Sequence, residues 1–198
     1  MIPIIIICYN NHIYVENTIK QIKNINEKLL KQVFIMDNNS NDEETINYLK
    51  RTEVDVHFNK KNEGPWIDAK KNSNLFYKLP NKFVITDPDL GFNENLPVNF
   101  LEIISDLGDK YNCSKIGFAL YIGDYKDMYS DFFYNIEKEY WKKKIKDPHF
   151  ELYDAPIDTT FCMINKKGGT KNIRIAGNFT ARHYPWYKEE PLLSIYHN

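Results

Sequence analysis

A continuous apolar run near the start of the chain, "IPIIIICYN" (residues 2–10), limits the architecture more than any other stretch. Unbroken apolarity suits a strand covered on both faces, the usual situation in a parallel sheet. The next segment, "IYVENTIKQIKNINEKLL", sets Ile19, Ile22, Ile25 and Leu29 near helical spacing, with lysines and glutamates between them. The pairing then repeats. "QVFIMD" (32–37) reads as a second strand, and "SNDE" (40–43) as a capping box, Ser40 with Glu43, opening a helix through "TINYLKR". "VDVHF" (54–58) reads as a third strand. "GPW" follows, with Pro65 placed at a first helical position and a helix expected to about Leu79. "KFVIT" is the fourth strand. The order β-α-β-α-β-α-β predicts an α/β fold, with a mostly parallel central sheet and helices on both faces.

The second half is less regular. "LPVNFLEIISDLGDKY" predicts a helix starting near Pro97, and "KIGFALYI" (115–122), "TTFCMI" (159–164) and "NIRIA" (172–176) predict strands, the last a short one. "FFYNIEKEYWKKKIKDPHFELYDAP" is an aromatic, charged excursion, and the tail "ARHYPWYKEEPLLSIYHN" is expected to pack across the sheet. With no repeat, linker or low-complexity segment, the 198 residues are expected to form one domain with a sizeable core. A net charge of −1 and a pI of about 6.5 disfavour a nucleic-acid binder. The aromatic content of 15% allows stacking surfaces for a ring-bearing ligand. Cys8, Cys113 and Cys162 are odd in number and widely spaced, as expected of reduced thiols in a cytoplasmic setting, the host's for a viral chain. The apolar start is short and lacks a basic leader, so it is read as a strand rather than a signal peptide. No stretch approaches the roughly 20 apolar residues of a membrane span.

Ligands of such sheets bind beyond the carboxyl ends of the strands. The four predicted ends carry Tyr9-Asn10-Asn11, Asp37-Asn38-Asn39, Asn59 onward to Asn62-Glu63-Gly64, and Asp87-Pro88-Asp89. Exposure alone gives polar loops, but it does not require a polar cluster at every carboxyl end. The last cluster poses an electrostatic problem. Residues two apart on a strand share a face, and two carboxylates this close repel unless something positive lies between them. A surface turn would also use Asp and Pro. The alternative is a hard divalent cation such as Mg²⁺ or Mn²⁺, which takes oxygen ligands and shares them with a substrate's phosphates.

"PIIIICYNN", "FIMDNNSND", "NEG" and "VITDPDL", in this order and spacing, resemble the nucleotide-binding half of GT-A-fold glycosyltransferases, most closely the family 2 type. The resemblance covers roughly residues 2–92, and the overall size is similar to that of small single-domain transferases of large DNA viruses and some bacteria. It implies one GT-A domain over 1–198, with a nucleotide-sugar-binding half (1–92) and an acceptor-side half with the tail (93–198). It also implies roles. Tyr9 and Asn10 would line the nucleoside pocket. Asp37 would accept from the base, most often uracil, or else serve as a cap or turn residue. Asn62 and Gly64 would let backbone pass close to the nucleotide, or form a plain turn. Asp87 would contact ribose or metal, and Asp89 would be the main metal ligand. One departure is "GPWIDAKKN", where the family carries an Ala-Arg-Asn segment; Lys70 and Lys71 are offset from the arginine's register. Trp66 either stacks on a ring or packs on a helix face.

In the second half, the resemblance implies an acidic general base for an acceptor hydroxyl. Asp158, directly before a β-rich run, is the first choice, with Asp154 and Asp124 as alternatives. His183, followed by Pro185-Trp186, resembles the C-terminal histidine that many such enzymes bring to the metal, with Arg182 and Lys188 near the diphosphate. Imidazole tilts the metal toward Mn²⁺ over Mg²⁺. The basic run "WKKKIK" (141–146) is a solvated face or an acceptor-side patch. The expected activity is inverting, metal-dependent transfer of a hexosyl group from a nucleotide diphosphate sugar, UDP-sugar first, to a glycan, glycoprotein or lipid-linked sugar in glycan biosynthesis. Two rivals stand beside it. A nucleotidyltransferase of related fold should carry a Gly-rich loop where this chain has "CYNNH". A non-catalytic nucleotide-sugar or glycan-binding domain would lack a usable metal site or base.

Overall fold

Four parallel strands carry the first half of the chain in the computed structural model, which describes residues 1–189 and Leu192. They are β1 (Ile4–Cys8), β2 (Val33–Asp37), β3 (Asp55–Phe58) and β4 (Lys82–Thr86), in the order β3-β2-β1-β4. The central place of β1 explains its apolar run. Ile4, Ile6 and Cys8 face the larger core, Ile5 and Ile7 face a second one, and none is exposed. On the first face lie α1 (His12–Asn26) and α2 (Glu43–Leu49), through Val15, Ile19, Ile22 and Leu49. On the second lies α3 (Ser73–Lys78), through Leu75 and Phe76.

The remaining elements are β5 (Leu90–Phe92), α4 (Phe100–Lys110), β6 (Cys113–Leu120), α5 (Asp131–Glu137), β7 (Lys144–Ile145), β8 (Leu152–Asp154), β9 (Cys162–Asn165) and β10 (Lys171–His183). They extend the same sheet. β9 fits antiparallel between β4 and β6, so β6 runs with β4, and β10 pairs parallel to β6. Only β5, β8 and β9 oppose the common direction among the described strands. The expected α/β architecture, a mostly same-direction sheet with helices on both faces, is the one observed.

Several local expectations are corrected. No helix starts at Pro65. Asp68 Oδ1 takes the amide N–H groups of Lys70 (2.6 Å) and Lys71 (2.8 Å), a side-chain turn that competes with helical bonding, and α3 begins only after Asn72, at φ 52°. The cap of α2 is Asp42, which accepts from Thr45 N at 2.8 Å, rather than Ser40. "NIRIA" is not a short strand but the first part of the 13-residue β10. Its register against β6 shifts between Ile175 and Thr180, where Gly177 sits at φ 64°. The excursion holds α5 and a β7–β8 hairpin. Of the tail, residues 190, 191 and 193–198 lie outside the described residues. No described helix is long and apolar enough to cross a membrane.

Candidate active site

Asp87, Pro88 and Asp89 occupy the turn from β4 into β5, and three neighbours pin it. Thr18 Oγ1 of α1 donates to the Pro88 carbonyl (2.6 Å), Asp87 N donates to the Thr159 carbonyl (2.8 Å), and Tyr184 N donates to the Asp89 carbonyl (2.9 Å). β10 pairs with β5 so that His183 stands opposite Leu90. One ligand atom from each of Asp87, Asp89 and His183 then lies within 4.8 Å of the others, and His183 Nε2 is 3.5 Å from Asp89 Oδ1.

The electrostatics of this cluster ask for a cation. Burial pushes the Asp87 carboxyl up to about 7, the charges of Asp89 and Asp158 push the same way, and a short hydrogen bond from Thr159 Oγ1 opposes them. Asp89 Oδ1 is buried and accepts no hydrogen bond among the described residues. A buried carboxylate oxygen with no hydrogen bond is unusual in a folded protein, and a bound ion is one of its recognised explanations. Two carboxylates and an imidazole fit Mn²⁺ or Mg²⁺, and a bound dication would reverse the repulsion within the site.

The cluster divides two cavities. The smaller, of about 250 Å³, lies at the carboxyl ends of β1, β2 and β4 and is lined by Tyr9, Asn11, Asn38, Asn62, Gly64 and the acidic turn. The larger, of about 400 Å³, is lined by rings including Trp66, Phe133 and Tyr140, and by Asp158 and Arg174. Asp87 and His183 line both.

Around the smaller cavity, Tyr9 is half exposed, and Gly64 adopts φ 81°, which favours glycine. Asn62 Oδ1 accepts from Gly64 N (2.9 Å), and Asn38 Nδ2 donates to the Gly64 carbonyl (3.0 Å). Asn10 and Asp37 do not line it. Asn10 Oδ1 accepts from the amides of Asn41 (2.8 Å) and Asp42 (3.0 Å). Buried Asp37 accepts from Ser40 Oγ (2.5 Å) and Ser40 N. Both carry the polarity of a site but hold loops together.

Of the acidic candidates, Asp158 lines the larger cavity. Asp154 instead ends β8 opposite Ile173, and Asp124 is paired with Arg182 Nε (2.6 Å) and accepts from the Tyr187 hydroxyl (3.0 Å). Arg182 therefore turns toward Asp124, and Lys188 Nζ donates to the Lys126 carbonyl (2.9 Å). Trp66 is no helix-face residue; it lines the larger cavity with Lys115 Nζ 4.0 Å above its ring. In the basic run, Lys142 and Lys144 form exposed pairs with Glu139 and Glu151.

The sequence reading missed what ties this region together. Arg174, buried on β10, donates from Nη1 to Glu137 Oε2 (2.6 Å) and from Nε to the Pro156 carbonyl (2.6 Å), and its guanidinium lies 4.3 Å from the Tyr140 ring. It fixes α5 and the segment before Asp158 to the sheet. Burial raises the Glu137 carboxyl and Arg174 counters it. A second tie is a stack of rings. His183 packs on Trp186 (4.7 Å, 36°), and Trp186 stacks on Phe133 of α5 (4.7 Å, 9°). Glu137 and Arg174, and Phe133 and Trp186, are too far apart in sequence to leave a local pattern. Thr159, in "IDTTF" beside Asp158, had only its adjacency as a signal.

No protein-family model and no curated protein matches the chain. Solved structures do. A mannosyltransferase from Pyrobaculum calidifontis, in complex with GDP-Man and Mn²⁺, is 14% identical over 83% of this chain and 44% of its own, with a TM-score of 0.49. Glucosyl-3-phosphoglycerate synthase from Mycobacterium tuberculosis, with Mn²⁺ and UDP-glucose, is 14% identical over 84% and 56%, with a TM-score of 0.44. TarS from S. aureus, with UDP-GlcNAc, is 17% identical over 61% and 34%, with a TM-score of 0.36. The chain spans about half the length of these proteins or less, and its functional reading stands on its own residues.

Proposed function

We propose that this chain is a GT-A-type glycosyltransferase that moves a sugar from a nucleotide diphosphate sugar to an acceptor hydroxyl. The observation that carries the reading is the cluster of Asp87, Asp89 and His183, set as a partition between a small polar cavity and a larger ring-lined one. These three residues would hold a divalent cation, which would supply positive charge to the leaving diphosphate. The imidazole favours Mn²⁺ over Mg²⁺ in this role. Tyr9, Asn62 and Gly64 form the wall for the nucleoside, with uridine the first choice. Asn10 and Asp37 shape that wall by holding its loops. Asp158 is the base. It takes the proton of the acceptor hydroxyl as that oxygen attacks the anomeric carbon, and a single displacement inverts the configuration. Thr159 holds Asp87 through both its hydroxyl and its carbonyl. The acceptor, a glycan, glycoprotein or lipid-linked sugar, enters through the larger cavity.

Thermal unfolding with UDP, GDP, CDP and dTDP, each with and without Mn²⁺, tests the reading. A ligand that binds only the folded state stabilises it by about 2.7 kcal/mol at 100 times its Kd. The expected result is a rise in Tm with one diphosphate that requires Mn²⁺. No rise with any of the four at millimolar concentration would return the acidic turn to a plain surface turn.

A further inference from the structure

We infer that the protein carries a second ligand site, one for a saccharide, beside β10 and apart from the metal-competent cluster. Its cavity is lined by β5 and the residues that follow it, by Tyr121 after β6, and by the end of β10. At about 510 Å³ it has the size of a small-molecule site, typically about 300–1,000 Å³. It shares no lining residue with either cavity of the candidate active site, so the inference does not rest on the transferase reading. Side chains next to each other on a strand point to opposite faces, which turns Arg182 away from His183.

The walls are held in place from behind. Arg182 Nε donates to Asp124 Oδ2 (2.6 Å), and Asp124 in turn accepts from the Tyr187 hydroxyl (3.0 Å). The guanidinium lies 5.7 Å from the Tyr121 ring and 5.9 Å from that of Tyr187. Asn93 Nδ2 donates to Thr180 Oγ1 (3.0 Å) and Asn93 Oδ1 accepts from Asn95 N (3.0 Å), which ties the rim after β5 to β10. A Cβ at Gly91 would come within 2.6 Å of the Tyr184 ring, so glycine there is what lets that ring pack over β5.

What these contacts leave unspent decides the ligand. Among the described residues, no hydrogen bond is made by the terminal amino groups of Arg182, the Glu94 carboxyl, the Asn95 side-chain amide or the Tyr121 hydroxyl. Tyr121 is 40% exposed and the Arg182 side chain 55%. A guanidinium only donates and a carboxylate only accepts. A hydroxyl does both, and a sugar carries hydroxyls all round its ring, in reach of groups set on three separate elements. The Tyr121 ring adds a surface for the C–H face of that sugar. The rival occupants fit less well. An inorganic anion would suit Arg182 but would also meet Glu94 and Asp124. A nucleobase presents a fixed pattern of donors and acceptors along its edge, which serves one wall rather than three. An apolar ligand would strip water from Arg182 and Glu94 and return no hydrogen bond.

The test is an amide-resolved NMR titration of the intact chain with the methyl glycosides of glucose, galactose, mannose and N-acetylglucosamine. Inorganic phosphate, uridine and hexanol serve as controls, and Tm with nucleotide and Mn²⁺ is read on the same samples. The expected result is saturable shifts at the amides of Gly91, Asn95 and Arg182 with at least one glycoside. Its affinity should fall about three- to tenfold in Tyr121→Ala and in Glu94→Ala, as for the loss of one ring contact and of one hydrogen bond. Glu94 is exposed, so its variant keeps the test sound even where Tyr121→Ala fails to fold. No glycoside binding would overturn the inference, as would glycoside shifts confined to the larger cavity or an affinity that Glu94→Ala leaves unchanged. So would shifts at these amides with phosphate, uridine or hexanol where the glycosides give none. Glycoside binding here with no effect of nucleotide and Mn²⁺ on Tm would uphold this site and remove the transferase reading.

Discussion

The two cavities on either side of Asp87 are built in different ways. The smaller one is made of short-range chemistry: amide side chains bonded to nearby backbone, a glycine at φ 81°, and loops that follow directly from β1, β2 and β4. The larger one is made of tertiary contacts: Glu137 with Arg174, Thr159 with Asp87, and Trp186 between His183 and Phe133. Apart from His183, the first is assembled by residues 7–89. The second exists only once the sheet has brought α5 and β10 to the end of β4. Binding on the two sides should therefore separate under mutation.

Substitution of the proposed base, Asp158, breaks the comparison most severely. Asp158→Ala should lower turnover by about 10²–10⁴, the usual worth of a general base, while nucleotide affinity changes by less than about twofold. Equal loss of both, measured as kcat against nucleotide Kd, would mean that Asp158 belongs to the donor side. Next is Arg174→Met, which leaves Glu137 buried and unpaired and should cost about 3–5 kcal/mol of stability by denaturant unfolding. Adding Glu137→Leu should restore much of that loss. A double variant no better than the single one would show that the pair is not the staple of this region. A smaller effect is expected from Trp186→Ala. It frees the His183 ring from its stack and should weaken Mn²⁺ binding by about tenfold, the low end for losing an outer partner of a ligand. Unchanged Mn²⁺ affinity in a calorimetric titration would separate the stack from the metal. The mildest is Gly64→Ala. No atom lies in the way of its added Cβ, so the cost is backbone strain alone, about 1–2 kcal/mol. Nucleotide affinity should fall more than any property of the larger cavity.

What could be read in the sequence follows the same division. β1, β2 and β4 were legible because burial leaves long apolar runs, and their polar ends stood out against them, whereas β3, mostly exposed at the sheet's edge, had only the short run "VDVHF" to mark it. The acidic turn was legible as an unresolved charge problem. Composition alone could not show that Asn10 and Asp37 would spend their side chains on neighbouring loops, since the same residues serve either purpose. Pro65 signalled a helix that the Asp68 turn displaced. β10 was read as a fragment because its irregular stretch, around Gly177 and Asn178, interrupts the apolar pattern in mid-strand. The Glu137–Arg174 pair was invisible, since each residue alone looks like ordinary surface charge.

The central claim is that Asp87, Asp89 and His183 hold a divalent cation against a nucleotide diphosphate. Electron paramagnetic resonance of Mn²⁺ titrated into the protein with UDP present, for the natural chain and for Asp89→Ala, tests it most directly. Saturable Mn²⁺ binding is expected, weakened by about 100-fold or more in the variant, beyond the cost of losing an outer partner. Mn²⁺ binding that is absent in the natural chain, or equal in the two, would contradict it.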